Sequence, residues 1–259
     1  MFCIITARDN KKVKQAAFLV SSAKQRKKLN MFVLEGTRLC SEAVNNNILI
    51  DTCFYTKSVF DSHKHLIQEL SARAGSADLV SEQVFLKMSD TESPQGILLT
   101  ASFKKAPVFP ISGRILIFER ISDPSNLGAA ARTAEALGFS GILLSRSGVD
   151  AYSPKSLRAS MGALLRIPVH VSDNIINDIS ELRTKGFVIN GMVVDKTAQK
   201  IQDISFCKNE GLLIGNEAAG LTDEIKSVCD RLVTIPMSGR AESLNAAAAA
   251  SIAMWELSR

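Results

Sequence analysis

Three short segments of this 259-residue chain carry residue types that could hold and transform a ligand. The first, 123–139, offers an amide at Asn126, a site of close backbone approach at Gly128 and a guanidinium at Arg132. A surface ion pair accounts for that arginine equally well, so the segment alone decides nothing. The second, 213–222, has Gly215 and Gly220 at the spacing of a phosphate-binding loop. Leu221 stands where the phosphate-reaching lysine belongs, which excludes a nucleotide triphosphatase. What remains is a glycine loop that exposes backbone amides and carbonyls, with Glu217 beside it. The third, 235–245, runs through Ile235, Met237, Gly239, Ser243, Leu244 and Asn245. Gly239 allows an unusual turn, and Ser243 or Asn245 can cap the helix that the alanines 246–250 begin. A bare alanine face beside a polar Ser-Leu-Asn group invites another backbone to come very near.

The elements around these segments alternate between strand and helix, the pattern of an α/β protein. Apolar spacing at Val13, Ala17 and Val20 predicts a helix over 10–22. Strands are expected at 31–34, 48–55 and 96–100, with helices at 37–44 and 63–72. Two prolines and a glycine in 104–113 mark a linker, so the expected domains are 1–105 and 114–259, joined by 106–113. In the second domain the unbroken apolar run 115–118 reads as a strand covered on both faces. Further strands are expected at 141–144, 168–171, 187–194, 211–214 and 231–235, with helices at 127–137, 175–185 and 244–257. A mostly parallel sheet with helices on both faces is the economical architecture. Each of the three segments then follows a strand end, where open α/β sheets form their ligand crevices.

Composition narrows the partners. Hydrophobic residues make up 46% and charged residues 22%, an ordinary globular balance with no apolar run near the roughly 20 residues of a membrane span. The chain starts apolar and turns basic, the reverse of a secretory leader. Five cysteines without a Cys-x-x-Cys pair read as free thiols of a cytoplasmic protein. His63 and His65 flank Lys64 with no third ligand in view, so no metal is expected. Net charge is +5, yet Arg8, Lys11, Lys12, Lys14, Lys24, Arg26, Lys27 and Lys28 face only one acid, Asp9, in that stretch. Such a concentration favours a polyphosphate partner through counterion release, although a solvated helix surface explains it as well until RNA is required elsewhere. A nicotinamide enzyme is excluded, because 120–128 lacks the Gly-x-Gly-x-x-Gly turn.

Taken in order, Asn126-x-Gly128-x3-Arg132, Gly215-Asn-Glu-x-x-Gly-Leu221 and Ile235-Pro-Met-x-Gly-x3-Ser-Leu-Asn245 resemble the three motifs of the SpoU, or TrmH-like, branch of the SPOUT methyltransferases. The resemblance spans about 114–257. The stretch 32–43 and the basic helix before it are similar to the L30e-like substrate-binding domain that often precedes this fold. The resemblance implies a trefoil-knotted α/β domain, a homodimer formed through the C-terminal domain, and S-adenosylmethionine as cofactor. It implies a backbone cradle for that cofactor from Gly215, Ile235, Met237, Gly239 and Leu244. Arg132 is implied at the reacting ribose, with Asn126, Glu217, Ser243 and Asn245 holding the parts in register. One departure is Ala246-Ala247, where relatives often have Val-Ser, which removes a hydroxyl. The expected activity is RNA ribose 2′-O-methylation of large-subunit ribosomal RNA. Transfer RNA, or a catalytically silent RNA-binding role, is the alternative.

Overall fold

The computed structural model describes residues 4–46, 48–104, 109–110 and 112–259. Part of the expected linker (106–108 and 111) and Cys3 lie outside them. The chain divides into two compact units, Met1–Ala106 with Tyr152–Leu165, and Pro107–Ala151 with Arg166–Arg259. The expected boundaries assign 152–165 to the second domain. In the structure Tyr152 instead stacks on Phe32 with ring centroids 5.6 Å apart and meets Phe103 edge-on at 5.4 Å. Arg158, on the helix Pro154–Ala159, forks onto Asp90 at 2.5 and 3.2 Å.

The first unit is built on four strands, β1 (Phe32–Glu35), β2 (Ile48–Tyr55), β3 (Ser76–Leu79) and β4 (Ile97–Phe103), in the order β1-β4-β2-β3. β4 is antiparallel to both neighbours, whereas β3 joins β2 in parallel. The N-terminal helix Lys11–Ser21 starts at Asn10, whose side chain accepts from the Lys12 amide. It buries Val13, Ala16 and Leu19 against Val33, Phe54 and Leu98, not the Ala17 and Val20 face expected from spacing. Residues 16–20 are apolar without a break, so periodicity could not choose between the two faces, and Phe18 is left 58% exposed. A second helix, Ala23–Leu29, follows a Ser22 cap and stops where Asn30 adopts the left-handed conformation.

The second unit holds β5 (Arg114–Phe118), β6 (Gly141–Ser145), β7 (Val169–Ser172), β8 (Val188–Met192), β9 (Gln199–Lys200), β10 (Glu210–Ile214) and β11 (Arg231–Thr234). Their order is β7-β6-β5-β10-β8-β11-β9, and every pairing is parallel. Both faces are covered, which is why the strands read as continuous apolar runs rather than alternating ones. Ile115, Ile117, Leu143, Ile189 and Leu213 pack with Ile179 and Leu182 of the helix Ile175–Thr184. The helices Pro124–Ala136 and Ala246–Ser258 pack on each other, and Ala130, Ala131, Ala134, Ala250 and Ala253 on them are fully buried. Small side chains allow that approach, and Thr133 and Ser251 share a hydroxyl hydrogen bond of 3.0 Å across it.

Candidate active site

Parallel strands deliver their carboxyl ends to one edge of the sheet. Because β5, β10, β8 and β11 are consecutive neighbours, the loops after them are gathered together. The loops after β8, β10 and β11 line a cavity of about 690 Å³, with 192–196, 214–221 and parts of 232–249 in its wall. That volume lies in the range of about 300–1,000 Å³ usual for a pocket that encloses a small organic ligand.

The loop after β10 depends on Gly215. A Cβ there would lie 2.3 Å from the carbonyl carbon of Gly220 and 2.5 Å from the Leu221 nitrogen. The loop closes on itself, with Asn216 N–H donating to the Gly220 carbonyl at 3.1 Å and Gly220 N–H returning to Asn216 at 2.9 Å. The Asn216 side chain accepts from the Ala218 and Ala219 amides and donates to the Arg120 carbonyl. The buried Glu119 carboxyl, at the end of β5, accepts from the Thr222 amide and hydroxyl at 2.9 and 2.8 Å. Two loops are thus strapped together at both ends.

Glu217 is the hub between them. Its carboxylate accepts from the Ser122 hydroxyl at 2.7 Å, the Ser122 and Asp123 amides at 3.1 Å each, and the Asn126 amide at 2.9 Å. Asn126, 7% exposed near the start of helix 124–136, accepts in turn from the Asn245 amide at 2.9 Å. Asn245 uses its carbonyl oxygen to cap the last helix, accepting from Ala247 and Ala248. An unbroken chain, Asn245 to Asn126 to Glu217, therefore ties the third segment to the first and the first to the second. Burial alone would raise the Glu217 pKa, but the bonds from Asn126, Ser122 and Asp123 outweigh it and hold it at about 2. A depressed carboxyl stabilises the fold fully above its ordinary value of 4.5 and loses that contribution as pH falls toward about 2. Thermal melts should therefore show a constant gap between wild type and Glu217→Gln from about pH 8 to 5. The gap should close below about pH 4.5; a gap that closes near neutrality would contradict the assignment.

Gly215, Glu217, Ile235, Met237, Ser243 and Leu244 line the cavity, whereas Asn126 and Asn245 are not part of its wall. Gly239 does not line it either; it is exposed, with nothing within 4 Å of a Cβ built on it. Arg132 is exposed too, about 120° round its helix from Asn126, and is not part of the cavity wall. Spacing did not single out Asn216, Ser122, Glu119 or Thr222, nor the Asp195 and Glu242 side chains of the wall. Asn216 and Ser122 adjoin residues that were singled out, whereas Glu119 and Thr222 carry no signal without the fold.

Of the eight basic residues expected to contact RNA, Arg26 does not reach solvent. It is 7% exposed, and its guanidinium donates to the Leu19 and Val20 carbonyls, satisfying the open end of the preceding helix. Lys12 pairs with Asp78 at 2.7 Å while remaining exposed. Arg8, Lys11, Lys14, Lys24, Lys27 and Lys28 are exposed, and Phe18 shares the outer face of helix 11–21 with Lys11 and Lys14.

The chain belongs to the SpoU rRNA methylase family, whose model matches residues 113–255. Residues 10–99 match the MRM3-like substrate-binding domain. The chain is 30% identical to the "23S rRNA (guanosine(2553)-2′-O)-methyltransferase RlmP" of Bacillus subtilis, covering 98% of each chain. Among solved structures it resembles an rRNA methyltransferase from Sinorhizobium meliloti at 28% identity and a TM-score of 0.86, covering 99% of this chain and 97% of that one. It likewise matches the SpoU methyltransferase AviRb of Streptomyces viridochromogenes, solved with AdoMet, at 27% identity, TM-score 0.86, and coverage of 96% and 97%. No helix among the described residues is long and apolar enough to cross a membrane.

Proposed function

We propose that this protein transfers a methyl group from S-adenosylmethionine to a ribose 2′-hydroxyl of large-subunit ribosomal RNA, as a cytoplasmic homodimer. The observation that carries the reading is the hydrogen-bonded series Asn245–Asn126–Glu217, which ties the start of helix 124–136 to the two loops, after β10 and β11, that help line the cavity. Relatives that span both units and are named for 23S or other ribosomal RNA support that substrate class over transfer RNA. The cavity fits the cofactor. Gly215 leaves backbone where a side chain would intrude, Met192, Ile235, Met237 and Leu244 supply apolar wall, and Asp195, Glu217 and Glu242 suit a cation.

When bound there, S-adenosylmethionine supplies an electrophilic methyl on a sulfonium, and its transfer to a hydroxyl cancels charge rather than creating it. The site therefore needs in-line positioning more than oxyanion stabilisation. Glu217 is a positioning residue, not a base, since its acceptor sites are filled and its carboxyl ionises near pH 2. A guanidinium is a poor proton acceptor, so Arg132 is no base either. It grips the phosphate next to the ribose and orients the 2′-hydroxyl, whose proton leaves to phosphate or water.

Arg132 is exposed and off the cavity wall, and we propose that it meets the ribose at the cavity of a second copy of the chain. Ile252 and Trp255, 41% and 56% exposed on helix 246–258, offer an apolar contact for that copy. Light scattering should give twice the 28.0 kDa chain mass, and Trp255→Glu should halve it and abolish turnover. A wild-type monomer would refute the dimer.

The test of the activity is incubation with labelled S-adenosylmethionine and total ribosomal RNA, followed by nuclease digestion to 2′-O-methylnucleotides. Label in ribosomal RNA is the expected result. Label only in transfer RNA would shift the substrate, and cofactor binding without label in either RNA would favour a catalytically silent RNA-binding protein.

A further inference from the structure

A second cavity, of about 270 Å³, lies wholly within the first unit, between the β1-to-helix turn and the loop that leads into β4. Its wall includes Glu35, Arg38, Leu39, Ser93, Gln95 and Met161. Glu35, at the end of β1, is only 6% exposed. One of its carboxyl oxygens accepts from the Ser89 and Thr91 hydroxyls at 2.5 and 2.8 Å. The other, Oε2, is buried and has no hydrogen-bond partner. The nearest cation is Arg158 at 3.9 Å, and that guanidinium is already forked onto Asp90. A buried acceptor left unpaired in a folded protein calls for an explanation, because it forfeits the hydration it had when unfolded.

The remaining groups are equally specific. Gln95 is held by its oxygen, which accepts from the Thr37 amide at 2.7 Å and hydroxyl at 3.1 Å, so its NH₂ is left to donate elsewhere. Gly36 (φ +93°) makes this turn possible, and Met161 (φ +52°) is kept in a conformation costly for its residue type. Leu39 and Met161 provide apolar surface, and Arg38 is an exposed cation at the rim. The volume falls just below the range of about 300–1,000 Å³ for drug-sized ligands, which suits one planar base better than a whole dinucleotide.

We infer that this cavity takes a single unpaired guanine of the RNA substrate, with the Glu35 carboxyl accepting from its N–H edge. Guanine presents two adjacent donors, N1–H and the 2-amino group, beside the O6 acceptor. That edge complements an acceptor at Glu35 and a donor at Gln95, with Arg38 left for the neighbouring phosphate. Uracil has one donor between two acceptors and cannot satisfy Glu35 as well. The inference rests on the RNA reading above, but its site and its readout are separate from methyl transfer.

The test is fluorescence anisotropy of the full chain with the labelled oligoribonucleotide UUUGUUU, and with the same strand carrying U, A, C or inosine at the centre. Guanosine should bind about tenfold or more tighter than uridine, with inosine between them. Glu35→Gln should erase the preference while leaving the all-uridine affinity unchanged. Arg38→Ala, at an exposed position, should weaken every strand equally. If Glu35→Gln does not fold, judged by its melt and its S-adenosylmethionine binding, Gln95→Ala replaces it and should weaken guanosine and inosine alike. Equal affinity for all centres, a preference that survives Glu35→Gln, guanosine and inosine affinities unchanged by Gln95→Ala, or no binding of any strand would overturn the pocket. Methylation of ribosomal RNA by the same preparation reports on the activity independently.

Discussion

Gly215→Ala is expected to abolish S-adenosylmethionine binding and with it all methyl transfer. The substituted Cβ would overlap the Gly220 carbonyl carbon and the Leu221 nitrogen, both backbone, so no side-chain rotation relieves the clash. The loop must open, breaking the paired hydrogen bonds between Asn216 and Gly220 that shape one wall of the cavity. β10 itself, buried between β5 and β8, does not depend on that loop for its pairing. A loss of two or more decades in cofactor affinity by calorimetry is expected, with a cooperative melt retained. Binding within threefold of wild type would mean that the loop is not the cradle.

Arg132 variants should behave in the opposite way. The side chain is exposed and, among the described residues, makes no hydrogen bond or ion pair, so Arg132→Ala should leave the melting temperature and cofactor affinity unchanged. Turnover should fall by about 10²–10³-fold, the usual effect of deleting one group that orients or stabilises a reacting centre. Arg132→Lys should recover little of it, because an ammonium cannot fork across a phosphate. Near-normal turnover of the lysine variant would rule out bidentate orientation and leave only a requirement for charge.

Much of this site could be read from residue order. Asn126, Glu217 and Asn245 follow from the resemblance of the three ordered motifs to a known family, and the strands that precede them are apolar runs whose covered faces leave little ambiguity. Their mutual hydrogen bonds could not be read, because they depend on β10 entering between β5 and β8, a long-range choice that no local pattern encodes. Arg26 shows the converse. In sequence it is one of eight cations, and only the turn between helices 11–21 and 23–29 reveals that it serves two backbone carbonyls. β3 and the helices Pro154–Ala159 and Asp223–Ser227 went unnoticed because each is a short element of four to six residues without an apolar period. Glu35 is a different case. Its type suggested nothing, and its meaning lies in two hydroxyls that occupy one oxygen and leave the other unused.

The passage of 152–165 into the first unit bears on how the protein is made. The rings of Phe32 and Phe103 are complete on the nascent chain long before Tyr152, which covers them, has been synthesised. At about 5–20 residues per second, translation keeps that apolar surface waiting for several seconds after Phe103 is added. By the end of that interval β5 and β6 of the second unit have also been synthesised. Assembly of the first unit is therefore timed by residues beyond its own contiguous stretch. A fragment ending at Ala106 would keep its sheet exposed where Tyr152 belongs, and any attempt to transplant this unit must carry the distant segment along with it.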